Sequence, residues 1–133
     1  MAEQGSDKML RFAQVEDDRN KVVSALAQLE ARSAIARLRK GSRMNSSEAS
    51  LALISLAAEM RRMIEQPVNP TVLEAASSTI DRYCLRAMDA AQLGCAIVAR
   101  DILQAPDMRF IASDKELLEA AVAEGFAVWN PAD

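Results

Sequence analysis

The chain has no histidine, which removes the usual general base, the commonest zinc ligand and the imidazole partner of a serine or cysteine nucleophile. Any catalysis would rest on carboxylates, on lysine or on a bound metal. Three acids stand where the surrounding pattern does not favour a freely solvated carboxylate. In the helical run after Ser24, Gln28, Arg32 and Arg39 mark the solvent side, whereas Glu30 falls opposite them with Leu26, Leu29 and Ala34. Between Ala87 and Ala99 only Asp89 and Gln92 are polar, so that helix is expected to be largely enclosed with Asp89 as its anomaly. Asp114 lies where a short strand hands over to a helix, at the carboxyl end of the strand where open α/β sheets place their ligands.

Each acid also has a purely structural alternative. Glu30 can snorkel or pair with Arg37 on the same side of its helix. Asp89 and Gln92 have the spacing of a capping box, and Asp114 suits the positive end of a helix dipole. Were such groups to meet, two carboxylates about 4 Å apart would repel by roughly 4 kcal/mol at an effective dielectric of 20. A divalent cation would relieve that repulsion. Oxygen-only ligation points to Mg²⁺ or Mn²⁺ rather than zinc, and such ions serve phosphoryl chemistry.

Between Ala31 and Ser47 there is no acid, but Arg32, Arg37, Arg39, Lys40 and Arg43 are present. A phosphate backbone could lie there; equally, cations are favoured at a helix carboxyl end. The charge is uneven, with 11 Lys/Arg against 9 Asp/Glu in residues 1–66 and 5 against 10 in residues 67–133. A net charge of −3 argues against nucleic-acid binding by bulk charge alone. The scattered aromatics Phe12, Tyr83, Phe110, Phe126 and Trp129 offer no base-stacking platform.

The elements that must position these groups follow from start and stop signals. Ser6 to Ala13 reads as a short helix, and Ser24 as the cap of a long one ending at Gly41, after the β-branched pair Val22-Val23. Asn45-Ser-Ser-Glu48 is a capping box before an amphipathic run through Met63, and Asn69-Pro70 opens another helix. A further helix spans Arg86 to Leu103. Met108 to Ala112 reads as a strand, Ser113 with Glu116 as a capping box for a helix ending at Gly125, and Phe126 to Trp129 as a last strand. Strand, helix and strand in succession make a parallel crossover, so the fold class is α/β and helix-rich. With 133 residues, half of them apolar, the chain has material for one domain, residues 1–133. No run is long enough for a signal peptide or a membrane span, so a cytoplasmic protein is expected, with Cys84 and Cys95 as small buried thiols.

Leu85-Arg86-Ala87-Met88-Asp89-Ala90-Ala91-Gln92-Leu93, then Phe110-Ile111-Ala112-Ser113-Asp114-Lys115-Glu116-Leu117-Leu118, and finally Gly125-Phe126-Ala127-Val128-Trp129-Asn130-Pro131 resemble, in order and spacing, the PIN-domain family and in particular its VapC-type toxins. Val23 to Ala34 looks like the family segment carrying its second acid. The resemblance implies a three-layer α/β/α domain with a short parallel sheet, and Mg²⁺- or Mn²⁺-dependent endoribonuclease activity within a toxin–antitoxin pair. It makes Glu30, Asp89 and Asp114 the catalytic and metal-site carboxylates and Ser113 a supporting polar group. Arg86, Arg37, Arg39 and Lys40 become RNA contacts, with RNA as substrate and an antitoxin protein as partner. Family members begin with a hydrophobic strand of the type Leu-Asp-Thr-Ser-Ala-Leu, and nothing like it precedes Gly5-Ser6-Asp7. The chain is therefore expected to be a PIN-like domain lacking its first strand. A homodimer is one way to close the gap; a non-catalytic PIN-like module that binds a partner is the alternative function.

Overall fold

Hydrophobic burial in this chain is concentrated between Pro70 and Trp129, in the half that carries Asp89 and Asp114. The computed structural model describes residues 21–132, so the helix expected over Ser6 to Ala13 lies outside the described residues. The elements are β1 (Val22–Ser24), α1 (Ala27–Lys40), α2 (Ser46–Arg61), β2 (Ile64–Gln66), α3 (Pro70–Tyr83), α4 (Ala87–Leu103), β3 (Arg109–Ile111), α5 (Lys115–Ala123) and β4 (Ala127–Trp129). The fold is α/β and helix-rich, with four short strands paired in parallel as two separate two-stranded sheets, β1–β2 and β3–β4. In the first, Val22 is opposite Ile64 and Ser24 opposite Gln66; in the second, Arg109 is opposite Ala127 and Ile111 opposite Trp129. Parallel strands need a crossover. Here α1 and α2 connect the first pair and α5 the second.

Several starts and stops match the sequence signals. Asn45 and Glu48 form the reciprocal capping box of α2, with Asn45 Oδ1 accepting from the Glu48 N–H at 2.8 Å and Glu48 Oε1 from the Asn45 N–H at 3.1 Å. Asn69 caps α3 through the Val72 N–H, with Pro70 at the first helical position, where its missing N–H costs nothing. Other signals were displaced. Ser24 is not the cap of α1: it sits in β1, its Oγ accepts the Leu26 N–H at 3.0 Å, and Leu26 occupies the cap position without a side-chain bond. The strand β2 has no counterpart among the expected elements. Ile64-Glu65-Gln66 is too short to show alternation, and only pairing with β1 defines it.

The core is built from two sets of apolar side chains on α3, α4, β3 and α5 with their adjoining loops. Ala76, Leu85, Ala90, Leu93, Phe110, Leu117, Ala120, Ala121 and Phe126 form the main cluster, and Val72, Cys95 and Val98 a second. The expected enclosure of α4 holds: seven of its residues are buried, from Ala90 to Ala99. Gly94 permits it. A Cβ there would lie 2.9 Å from the Val72 carbonyl oxygen and 3.0 Å from the Ala76 nitrogen, so α3 and α4 touch backbone to backbone. Phe110 and Phe126 meet with ring centroids 5.8 Å apart, and the Arg100 guanidinium lies 4.0 Å over the Phe126 ring. Gly125, at φ +94°, makes the turn from α5 into Phe126 and β4. By contrast, α1 buries no residue and α2 only Ala49, and neither contributes to the two clusters. Cys84 also departs from expectation. It is exposed and ends α3 in the left-handed conformation, while Cys95 is buried.

Candidate functional site

The first turn of α4 carries Asp89. Arg86, in extended conformation, is the residue before the helix, so Asp89 is the third helical residue and does not begin the helix, as a capping box with Gln92 would have required. Asp89 is half-buried because the flanking Ala90 and Ala91 are drawn fully into the core. Burial pushes its carboxyl above the usual carboxylate range. The charges of Asp114 and Glu116 push it further in the same direction, and Arg86 opposes them. These four charged groups therefore share one region, at the amino ends of α4 and α5.

Asp114 is the residue preceding α5, and its Oδ1 accepts from the Glu116 N–H at 2.8 Å and the Leu117 N–H at 3.2 Å. The expected capping box beginning at Ser113 is corrected accordingly. Ser113 stands one residue outside the cap, exposed, with its carbonyl accepting from Asn130 Nδ2 at 3.5 Å. Capping occupies one carboxylate oxygen of Asp114. The negative charge remains, stabilised by the amino end of α5.

Glu30 lies on the first turn of α1, half-buried, and accepts a hydrogen bond from Gln92 Nε2 of α4. The alternative pairing with Arg37 is not formed: Arg37 Nη2 donates to Ser33 Oγ at 3.0 Å. Gln92 stands one turn after Asp89 on the same helix, so its amide links the Glu30 carboxylate to the neighbourhood of Asp89. Of the three expected site acids, Asp114 thus bears electrostatically on Asp89, and Glu30 reaches the helix of Asp89 through an amide. Glu116 and Gln92 complete the arrangement and were not singled out as site residues. The signal for Glu116 was its place in the first turn of α5; for Gln92 it was being the only other polar residue on an enclosed stretch of helix.

Among the described residues no group of three or more His, Cys, Asp or Glu side chains is gathered as a metal cage. The Asp89–Asp114 pair nevertheless has the donor chemistry of a hard dication. Mg²⁺ is commonly held by one or two carboxylates while keeping several waters, and such an ion would relieve the repulsion that Asp114 adds to burial in raising Asp89. Of the expected cationic contacts, Arg86 lies within electrostatic reach of Asp89. Arg37, Arg39 and Lys40 are exposed in the last turn of α1, about 10–15 Å along the helix from Glu30 at 1.5 Å per residue.

No family model matches this chain, and no curated protein matches it at a significant level.

Proposed function

We propose that this chain is a PIN-like, Mg²⁺- or Mn²⁺-dependent endoribonuclease of the toxin–antitoxin type. The observation that supports it most is the position of Asp89: half-buried in the first turn of an enclosed helix, with its carboxyl raised by burial, Asp114 and Glu116. In this reading the two parallel strand pairs are the halves of one sheet in a three-layer α/β/α domain. Both pairs are parallel, and α4 packs against β1, β2 and α5, which supports it.

Asp89 and Asp114 would hold the ion, with Glu30 as a further oxygen donor brought near through Gln92. When bound, the ion supplies charge neutralisation at a phosphoryl oxygen and eases deprotonation of water. The residues of the chain do the rest. Arg86, beside Asp89, attracts the scissile phosphate, and Arg37, Arg39 and Lys40 along α1 hold flanking phosphates without reading bases. Ser113 offers a hydroxyl at the mouth of the site. Incubation of structured RNA with the protein and Mn²⁺, beside Asp89→Asn, is the test. Cleavage by wild type and loss in the variant are expected; equal cleavage by both rejects the assignment.

A second function is favoured by a different observation. The α1–α2 hairpin leaves Leu29, Leu51 and Ile54 exposed at 62, 66 and 66 % and buries almost nothing. A non-catalytic module that binds an antitoxin-like helix, or a second copy, would use that surface. No thermal shift with Mg²⁺ or Mn²⁺, together with stabilisation by a partner helix, would favour it over the nuclease. Among the described residues no helix is long and apolar enough to cross a membrane.

A further inference from the structure

The two halves of the chain carry opposite charge balances, and each presents one exposed surface that expresses its own. Between α3 and the last turns of α4 runs a groove of about 940 Å³. Ala75, Ile97, Val98 and Ile102 give it an apolar lining, and Ile102 is 65 % exposed. Glu74 stands on the α3 wall and Asp101 on the α4 wall, both exposed. Neither takes part in an ion pair among the described residues. Arg100 also borders the groove, but its guanidinium lies over the Phe126 ring and donates to the Glu124 carbonyl oxygen, so its charge is already engaged. An apolar groove with a carboxylate on each wall fits a rod that has an apolar ridge and a cation on each flank.

The helix α1 has that form. Ala27, Ala31, Ile35 and Leu38 are half-buried on the side that meets α2. Leu29, Ser33, Ala36 and Lys40, at helical spacing, make the opposite, exposed ridge, which is narrow because Ser33 and Ala36 are small. On the helical wheel Arg32 and Arg39 flank the ridge on one side and Arg37 on the other, all three exposed. The single acid of α1, Glu30, is engaged by Gln92. That bond holds α1 against the amino-terminal half of its own α4, whereas Asp101 of the groove lies about 14 Å further along that helix at 1.5 Å per residue. We infer that α1 of one copy seats in the α3–α4 groove of a second copy, its flanking arginines meeting Glu74 and Asp101. The two surfaces differ, so the contact is heterologous and builds a head-to-tail series rather than a closed pair. It rests on neither reading of the function given above.

Sedimentation velocity of the full chain at rising concentration, in low and in high salt, is the test. Wild type is expected to grow past the dimer with concentration in low salt and to fall back toward monomer in high salt, which screens exposed charge pairs. Neutralising the groove, by Glu74→Gln with Asp101→Asn, is expected to weaken association by about 10-fold. Neutralising the ridge flanks, by Arg32→Gln with Arg37→Gln and Arg39→Gln, is expected to do the same. All five positions are exposed, so both variants keep the fold. An equimolar mixture of the two variants decides the geometry. One keeps an intact groove and the other an intact α1, so the mixture is expected to form a one-to-one pair that grows no further. Wild type that stays monomeric in low salt overturns the inference, as does a mixture that stays monomeric. Loss of association in the α1 variant with none in the groove variant also overturns it, since α1 ridges would then be pairing with each other.

Discussion

Asp114 caps α5 and, in the proposed reading, also donates to a dication, and two substitutions separate the two roles. Its Oδ1 accepts two backbone N–H groups of α5, at 2.8 and 3.2 Å. Asp114→Ala removes both bonds, and loss of a cap of this kind costs about 1 kcal/mol. Asp114→Asn keeps an oxygen in the same place and cancels only the charge, so the cap survives. The lost charge has small opposing effects: less attraction to the dipole of α5, worth a few tenths of a kcal/mol, and less repulsion on Asp89. The net change for Asp114→Asn is therefore near zero, whereas Asp114→Ala should lower the melting temperature by about 3–5 °C for a domain of this size. Thermal melts followed by circular dichroism in EDTA give the first comparison, and repeating them with Mn²⁺ gives the second. Wild type should be stabilised by the ion and both variants much less, because both lack the charge. Equal melting of Ala and Asn variants in EDTA would refute the cap. Full stabilisation of Asp114→Asn by Mn²⁺ would remove Asp114 from the metal site.

Two further outcomes follow from the same geometry. Because the Asp89 carboxyl is raised in the folded chain, its ionisation costs stability: the contribution is fully present below the ordinary aspartate value of about 3.9 and is lost as pH rises through the raised value. In EDTA, Asp89→Asn should therefore match wild type near pH 3–4 and exceed it at pH 7 by up to about 1 kcal/mol, after allowance for solvent screening of a half-buried group and the helix dipole; a gap that is flat or reversed across melts from pH 4 to 8 would contradict this. Gly94→Ala places a Cβ against the backbone of Val72 and Ala76 and should cost about 1–3 kcal/mol in chemical denaturation, while a neutral result would mean that α3 and α4 can separate freely.

The capping residues of α2 and α3, the parallel unit β3–α5–β4 and the enclosure of α4 were legible because each is written in local chemistry. Asn45 with Glu48, and Asn69 before Pro70, satisfy orphan N–H groups within four residues of themselves. The long apolar stretch of α4 can only be covered by other elements. Three residues of strand, as in β2, carry no period of their own and exist because β1 lies alongside. The shift of the cap from Ser113 to Asp114 was equally hidden, since both residue types suit the role.

For the candidate site, sequence alone determined the palette: no imidazole, and acids at Glu30, Asp89 and Asp114. Tertiary structure decided which of them meet. Asp89 and Asp114 come within electrostatic reach because the amino ends of α4 and α5 share one side of the core, and Glu30 arrives on a helix outside that core, held by the Gln92 amide. Composition and spacing fix what a side chain can do and which face of its helix it occupies, but not which face of another helix it will meet. That depends on packing between residues distant in the chain, and for Glu30 and Gln92 the separation is 62 positions.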